Sequence, residues 1–250
     1  MTDNSKKKTY DPAIWGLSDA FYQAMSELCA KSDWDNDVYN AGRPFTKNIE
    51  VRLTRAVMRS LGGICEVQSS ADLHKYHASS DFKDAMHAAQ RSVGTDPRLD
   101  GYWAKYDCFW EAKISKIDLV HGKNGGKTLY DIGQWSKDLT KLHEISKRIR
   151  TARLIYSICA VTQSETGILS QEAWVARLKA KIIAEMAGDL KRVSPELLER
   201  SDPRLYQRAM LLGLLSLDSS EFCTMPADRW AVISVDARAV SERIIHLGLP

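Results

Sequence analysis

Cysteine is scarce in this sequence, and its few residues are not spaced as pairs. Five cysteines are spread over 250 residues, and no two of them form a CxxC motif. An odd, widely spaced set argues against a disulfide scaffold and against a zinc finger. Cys65, Cys108 and Cys159 lie in apolar runs, which predicts small buried side chains. We therefore expect the protein to work in a reducing cytoplasm.

Long apolar runs and a large excess of one charge are also missing. No run approaches the roughly 18 apolar residues that a membrane helix requires, so we expect no membrane partner. The first residues, MTDNSKKKTYDP, are polar and predict no secretory signal. A formal net charge of +3 permits an anionic partner without requiring one. With 44% hydrophobic and 27% charged residues, the composition is that of an ordinary folded protein and excludes extensive disorder.

The order of helical and strand-like patterns predicts an α/β fold. Apolar residues recur at helical spacing from Thr46 until Gly62 and Gly63 end the pattern, and they recur again over 129–150. Residues 71–98 are polar and partly helical, which is typical of an insertion. Segments rich in β-branched and aromatic residues predict strands at 63–70, 98–116, 153–162 and 230–236. Strands that alternate with helices in this way favour an α/β core.

The stretch LDGYWAKYDCFWEAKIS, residues 99–115, carries acidic side chains in the most aromatic part of the chain. A hairpin that turns at Lys105 and Tyr106 places Asp100 opposite Glu111. Directly opposed residues have Cβ atoms about 4.5–5.5 Å apart, so these two carboxylates either repel each other or share a cation. A hard divalent ion with oxygen ligands at about 2.0–2.6 Å fits between them.

The same strand offers further groups for such a site. Lys113 projects from the same face as Glu111, where a lysine can orient an attacking water and stabilise charge on a phosphate. Ala112 faces the core, which leaves its carbonyl oxygen free to bind a metal. Asp107 is an alternative to Asp100, but an extended strand separates it from Glu111 by about 13 Å at roughly 3.3 Å per residue. Asp107 therefore takes part only if the strand bends.

Asp100, followed by the triplet EAK at 111–113, resembles the motif of the PD-(D/E)xK restriction-endonuclease-like nuclease superfamily. The order of elements agrees, with a preceding helix that bears Glu50 and a following helix and strand. The proline of the motif stands earlier, at Pro97. The resemblance covers roughly 45–165 and implies a core with a mixed central sheet flanked by helices. The rest of a single domain, 1–250, then consists of mainly helical extensions at 1–44 and 166–250.

The resemblance also implies an activity and the residues that perform it. It implies a Mg²⁺-dependent phosphodiesterase, with Mn²⁺ as a substitute, that acts as a DNA endonuclease of restriction or defence type. DNA is favoured over RNA as the partner, and a homodimer would cut both strands. The implied metal ligands are Asp100, Glu111 and the carbonyl of Ala112. The implied catalytic residues are the same two carboxylates with Lys113, and with Glu50 directed at the same metal.

Basic stripes on two helices provide a candidate nucleic-acid surface. Arg52, Arg55 and Arg59 recur at helical spacing on the first helix, as Lys137 and Lys141 do on the second. Such stripes contact phosphates in nucleic-acid-binding proteins. They are also typical of a helix face that is merely solvated. Both interpretations of these residues stay open at the level of sequence.

Two other functions stay open as well. The segment HGKNGGKT, 121–128, nearly matches the phosphate-binding pattern G-x-x-x-x-G-K-[ST] and would indicate an NTPase. His121 replaces the first glycine of that pattern, whose small size permits the tight turn. The other alternative is a non-catalytic nucleic-acid-binding or interaction protein on the same fold. A separate, purely structural interpretation is that Glu111 and Lys113 form a cross-strand ion pair on an exposed strand face, which contributes little.

Overall fold

The computed structural model describes residues 11–31, 43–67, 80–93, 98–116, 125–161, 203–218, 220–227 and 230–246. The helices in these ranges are α1 (Pro12–Ala30), α2 (Arg43–Leu61), α3 (Ser80–Val93), α4 (Gly125–Ser146), α5 (Pro203–Leu215) and α6 (Ala237–His246). The strands are β1 (Ile64–Val67), β2 (Leu99–Trp103), β3 (Cys108–Lys116), β4 (Arg153–Val161), β5 (Cys223–Pro226) and β6 (Trp230–Asp236). The predicted α/β class is confirmed.

The described strands form one mixed sheet in the order β1-β2-β3-β4-β6-β5. Strands β3 and β4 are parallel, and the other neighbouring pairs are antiparallel. The connection between the two parallel strands runs through α4, since parallel neighbours need a long crossover. The last two strands of the sheet lie beyond residue 165, so the expected helical extension at 166–250 also contributes strands to the core. One of them confirms the strand predicted at 230–236.

Helices cover both faces of the sheet and bury two hydrophobic clusters. Trp110 lies in the cluster beneath α1 and α2. Phe109 lies in the other cluster, which includes Trp135 of α4 and apolar residues of α3, α5 and α6. Neighbouring residues of β3 thus face opposite sides, as the pleat of a strand requires. By this alternation Glu111 and Lys113 share the α4 face with Phe109.

Helix α2 ends where the sequence predicts and lies close to the sheet. Gly62 has a φ of 64°, a left-handed conformation that glycine adopts without strain. The N–H of Gly63 then donates to the carbonyl of Met58 at 2.7 Å. A Cβ at Gly101 of β2 would overlap the Met58 side chain, so glycine at this position permits the close approach. This approach brings Glu50 of the same helix within reach of β3.

The β2–β3 hairpin has the predicted register and a different turn. Trp103 pairs with Cys108, which is the alignment that sets Asp100 across from Glu111. The connection is a single 3-10 turn, Ala104–Tyr106, instead of the expected two-residue turn. The sequence lacks the glycine or asparagine that the tighter turn prefers, and the longer turn needs a left-handed conformation only at Asp107.

Asp107 closes this turn and has a structural role there. Its φ of 47° and ψ of 56° are left-handed, a conformation that aspartate tolerates better than most other residues. Its carboxylate accepts a hydrogen bond from the Tyr102 hydroxyl at 3.0 Å, and its carbonyl accepts one from the N–H of Arg153 at 2.8 Å. Asp107 therefore lies at the opposite end of β3 from Lys113, and Asp100 is the aspartate near the candidate site.

Two segments differ from their expected roles. Helix α3 lies within 71–98, the expected insertion, yet it buries Met86 in the main core and packs against α4. Helix α4 begins earlier than predicted, at Gly125, so the second half of the 121–128 pattern is helical. Residues 121–124 lie outside the described ranges, and so does the proposed phosphate-binding turn that they would form.

None of the described helices combines the length and the apolar character that crossing a lipid bilayer requires. Cys108 and Cys159 are buried, as predicted, whereas Cys65 is partly exposed. Burial raises the pKa of the Cys108 and Cys159 thiols above their ordinary value. A thiol that resists ionisation is a poor nucleophile, so these cysteines act as small core residues.

Candidate active site

Four carboxylates from four different elements form one electrostatic cluster beside β3. Glu50 comes from α2, Asp100 from β2, Glu111 from β3 and Asp138 from α4. Burial is the largest cause that raises the pKa of the first three, and the charge of Asp138 adds to it in each. Glu50 also raises the pKa of Asp100, and Asp100 raises that of Glu111. Like charges interact in this way only at short range or in surroundings that water screens weakly.

Two of these carboxylates accept hydrogen bonds from the part of β3 that extends beyond its pairing with β2. Strand β2 begins only at Leu99, and β3 extends past it. Asp100 Oδ2 accepts the N–H of Ala112 at 2.8 Å, and Glu50 Oε2 accepts the N–H of Ile114 at 3.3 Å. Because the N–H and C=O of one strand residue point to the same side, the Ala112 carbonyl faces this edge between the two carboxylates. The carboxylates of Asp100 and Glu50 and the carbonyl of Ala112, all expected from the sequence, therefore lie side by side.

Lys113 forms the more open of two ion pairs in the cluster. Its Nζ donates to Glu50 Oε1 at 2.9 Å, and the two side chains are 24% and 18% exposed. Burial by itself would lower the pKa of Lys113, but the charges of Glu50, Asp138 and Asp100 raise it above its ordinary value. Lys113 is therefore a fixed ammonium group at the rim of the site.

Lys141 forms the more buried ion pair, with Glu111. Its Nζ lies 2.5 Å from Glu111 Oε1, and the two side chains are only 10% and 4% exposed. The same ammonium donates to the carbonyl of Arg98 at 2.7 Å and lies 3.7 Å from Asp138 Oδ1. The sequence grouped Lys141 with Lys137 as a nucleic-acid contact. The structure instead places it inside the protein as the partner of Glu111.

The buried carboxylates hold protons more tightly than free ones do. Burial raises the pKa of Asp100 to about 7, and the charge of Glu50 adds to this effect. Burial also raises the pKa of Glu50 and of Glu111, in each case against the attraction of a lysine. Carboxylates in the cluster outnumber ammonium groups, so a cation that enters it is attracted.

The donor atoms fit a hard divalent cation. Asp100, Glu111 and the carbonyl of Ala112 offer oxygen ligands, which Mg²⁺ prefers. Glu111 Oε1 receives no hydrogen bond of good geometry in the described part of the chain, and the ammonium of Lys141 is its counter-ion. No three Asp, Glu, His or Cys side chains among the described residues are already gathered around one point in a way that could hold a metal. Lysines form their shortest ion pairs with two of the four acids, Glu50 and Glu111.

Sequence reasoning missed two members of the cluster. Asp138 lies on α4 three residues before Lys141, and both interrupt the apolar stripe that Leu139 and Leu142 continue. Charged residues within a buried apolar stripe are the sequence signal that could have identified Asp138. Tyr156 is fully buried beside Glu111 in the parallel pairing of β3 and β4, and its hydroxyl has no partner within the described ranges. Burial, then Asp138, raises the pKa of this hydroxyl.

The arginine stripe of α2 is exposed, as a phosphate-binding surface must be. Arg52, Arg55 and Arg59 are all exposed. Their positions relative to Glu50 place them on the opposite side of the helix, since an α-helix has 3.6 residues per turn. Lys137 on α4 is partly buried. The structure therefore does not bring the predicted basic residues together at the carboxylate cluster.

Comparisons of the chain with protein-family models, with curated proteins and with solved structures found no match. A functional assignment therefore depends on the residues of the cluster and on their arrangement.

Proposed function

We propose that the protein is a Mg²⁺-dependent nuclease that hydrolyses phosphodiester bonds in DNA. The observation that carries this proposal is the arrangement at the edge of β3. Asp100 and Glu50 bind alternate N–H groups there, the carbonyl of Ala112 lies between them, and Lys113 stands at the rim. Oxygen donors beside a fixed ammonium group suit a phosphate with its counter-ion.

Each residue then has a distinct part. Asp100, Glu111 and the carbonyl of Ala112 would hold Mg²⁺, which supplies charge neutralisation and activation of water when it is bound. Lys113 orients the attacking water and stabilises negative charge that develops on the phosphate. Glu50 holds Lys113 in position by the 2.9 Å ion pair. The burial of the cluster strengthens these electrostatic interactions, because water screens them less.

The wider setting of this activity is part of the same proposal. The mixed sheet flanked by helices supports a restriction-endonuclease-like core. A cytoplasmic restriction or defence endonuclease that cuts both strands as a homodimer fits such a core by analogy. The exposed arginine stripe of α2 is the proposed secondary contact with the DNA backbone.

The test is nicking of a supercoiled plasmid in Mg²⁺ and in EDTA, with a matched pair of variants. Asp100→Asn keeps an oxygen for the N–H of Ala112 but removes the charge that would bind the metal. Asp107→Asn makes the same chemical change at the other end of β3. We expect the wild type and Asp107→Asn to nick DNA in Mg²⁺ only, and Asp100→Asn to be inactive. Equal activity of the two variants would reject the site.

A second candidate is a non-catalytic DNA-binding protein on the same fold. One observation favours it, namely that both Glu50 and Glu111 are already neutralised by lysines. This candidate predicts DNA binding that is the same in Mg²⁺ and in EDTA, with no nicking by the wild type. The plasmid assay together with a gel-shift measurement separates the two functions.

A further inference from the structure

The two lysines of the cluster pair with carboxylates that differ in their proposed roles, since only one of them is assigned to the metal. Lys113 binds Glu50, whose other oxygen already accepts the N–H of Ile114. Lys141 lies against Glu111, one of the two carboxylates assigned to the metal. An ammonium group and a divalent ion compete for the same carboxylate oxygen, because each occupies the space that the other needs.

We propose that Lys141 is a built-in competitor of the divalent ion and sets the concentration at which the metal binds. This inference rests on the proposed function, since it assumes that Glu111 is a metal ligand. Without metal, the ammonium of Lys141 neutralises the buried carboxylate of Glu111. An unpaired Glu111 would be a buried charge without a partner. When the ion binds, Lys141 gives up Glu111.

The surroundings of Lys141 provide a place for the displaced ammonium. Its Nζ is already bonded to the carbonyl of Arg98 at 2.7 Å and stands 3.7 Å from Asp138 Oδ1, one turn away on the same helix. A small change of the side-chain torsions therefore moves the ammonium from Glu111 towards Asp138. The lysine stays paired in both positions, so the exchange leaves no buried charge without a partner.

The test measures Mn²⁺ binding by calorimetry in the full chain. Lys141→Met removes the competitor and keeps an unbranched side chain in the buried position. Because competition is a reciprocal coupling, and such couplings typically amount to about 5–150-fold, we expect Mn²⁺ to bind on the order of tenfold more tightly. Lys137→Met removes the same charge one turn earlier on α4 and is expected to leave the affinity within about twofold of the wild type.

A double variant shows whether the effect passes through Glu111. Glu111→Gln combined with Lys141→Met should lose the gain in affinity, and it should fold well because both charges are removed. If Lys141→Met alone does not fold without metal, the readout is its melting transition. Recovery of a cooperative transition in Mn²⁺ supports the proposal, and no recovery overturns it.

The outcomes also separate this inference from the proposed function. Wild-type Mn²⁺ binding that is unchanged in Lys141→Met overturns the competition and leaves the metal site in place. An equal gain in Lys141→Met and Lys137→Met would reduce the effect to general electrostatics and overturn the proposal. Absence of Mn²⁺ binding in the wild type and in every variant would reject the metal site itself, and the inference with it.

Discussion

The two ion pairs of the cluster are made of the same chemical groups in different surroundings. The Lys113–Glu50 pair lies beside the part of β3 that extends beyond its pairing with β2, and roughly a fifth of each side chain is exposed. The Lys141–Glu111 pair lies between α4 and the sheet and is nearly closed to solvent. Water screens the first pair and barely reaches the second. Breaking the second pair should therefore lower the free energy of unfolding more than breaking the first.

The difference assigns the pairs to different tasks. An ammonium group at the rim can contact an incoming phosphate, which is the role proposed for Lys113. An ammonium group inside the protein cannot reach a large ligand. The proposed role of Lys141 is therefore limited to the carboxylate of Glu111, with which it pairs. Substitutions should therefore cost more stability in the buried pair than in the open one, whereas the loss of Lys113 should affect activity far more than stability.

The largest expected effect on stability is that of Glu111→Gln. In the described part of the chain, this change leaves Lys141 with only the Arg98 carbonyl and the more distant Asp138 as partners, so the loss should approach the roughly 3–5 kcal/mol that breaking a buried pair typically costs without exceeding it. Urea denaturation in EDTA measures the loss. The double variant Glu111→Gln with Lys141→Met is the control and should return close to wild-type stability. Equal stability of the single and double variants would show that the pair is not isolated from solvent.

The next effect is a dependence of stability on pH that comes from Asp100. Its pKa is raised from 3.8 to about 7 by burial and by Glu50. Between these values Asp100 holds a proton in the folded protein that it has released in the unfolded chain, so the contribution of this group to stability in EDTA falls as the pH rises from about 4 to 7. We expect the contribution of Asp100 to the free energy of unfolding to fall by at least about 1.4 kcal/mol, the equivalent of one pKa unit.

Asp100→Asn should flatten this dependence, because the amide does not titrate. Asp107→Asn is the matched control and should keep the wild-type profile. Denaturation midpoints at a series of pH values provide the comparison. A profile in Asp100→Asn that does not differ from the wild-type profile over this interval would mean that Asp100 is not buried beside other acids.

A smaller effect on stability is expected when the open pair is broken. Lys113→Ala should lower the free energy of unfolding by about 1 kcal/mol, as is typical of a pair that water partly screens. Glu50 keeps its hydrogen bond from the N–H of Ile114 in this variant. Urea denaturation beside Glu111→Gln tests the contrast directly. A loss as large as that of the buried pair would remove the distinction between them.

The smallest effect is expected from the exposed stripe of α2. Each lost phosphate contact reduces the dependence of DNA binding on salt concentration by about one unit of slope. Substituting Arg55 by alanine should therefore lower that slope slightly, whereas Lys141→Met should leave it unchanged because the lysine is buried. Binding titrations in Ca²⁺ at several salt concentrations measure the slopes. A reduced slope for Lys141→Met would place this lysine in contact with DNA.

Local patterns account for the parts of the structure that the sequence predicted correctly. The parity of a strand fixes which residues face each other once one pair is known, so the alignment of Asp100 with Glu111 followed from a short segment. Helix α2 ended at Gly62 because glycine permits the left-handed conformation. The turn type was not predicted, since it depends on Asp107 taking a conformation that few residues adopt.

The parts that were missed depend on contacts between elements far apart in the chain. Helical spacing alone grouped Lys137 with Lys141, but the packing of α4 on the sheet buries one of them far more deeply than the other. Asp138 entered the cluster through the same packing. Tyr156 came beside Glu111 through the parallel pairing of two strands separated by a crossover. Sequence periodicity does not determine how a helix is rotated against a sheet.

The measurement that tests the central claim most directly compares DNA cleavage with melting temperature in the wild type and in Lys113→Ala. We expect the variant to stay folded and its Mg²⁺-dependent cleavage of plasmid DNA to fall by on the order of a hundredfold or more, as when a preorganised charge-stabilising group is lost. Lys113→Arg should not restore the rate, because a planar guanidinium cannot place a compact charge at the same point. Equal cleavage rates in the wild type and in a folded Lys113→Ala variant would contradict the proposed nuclease site.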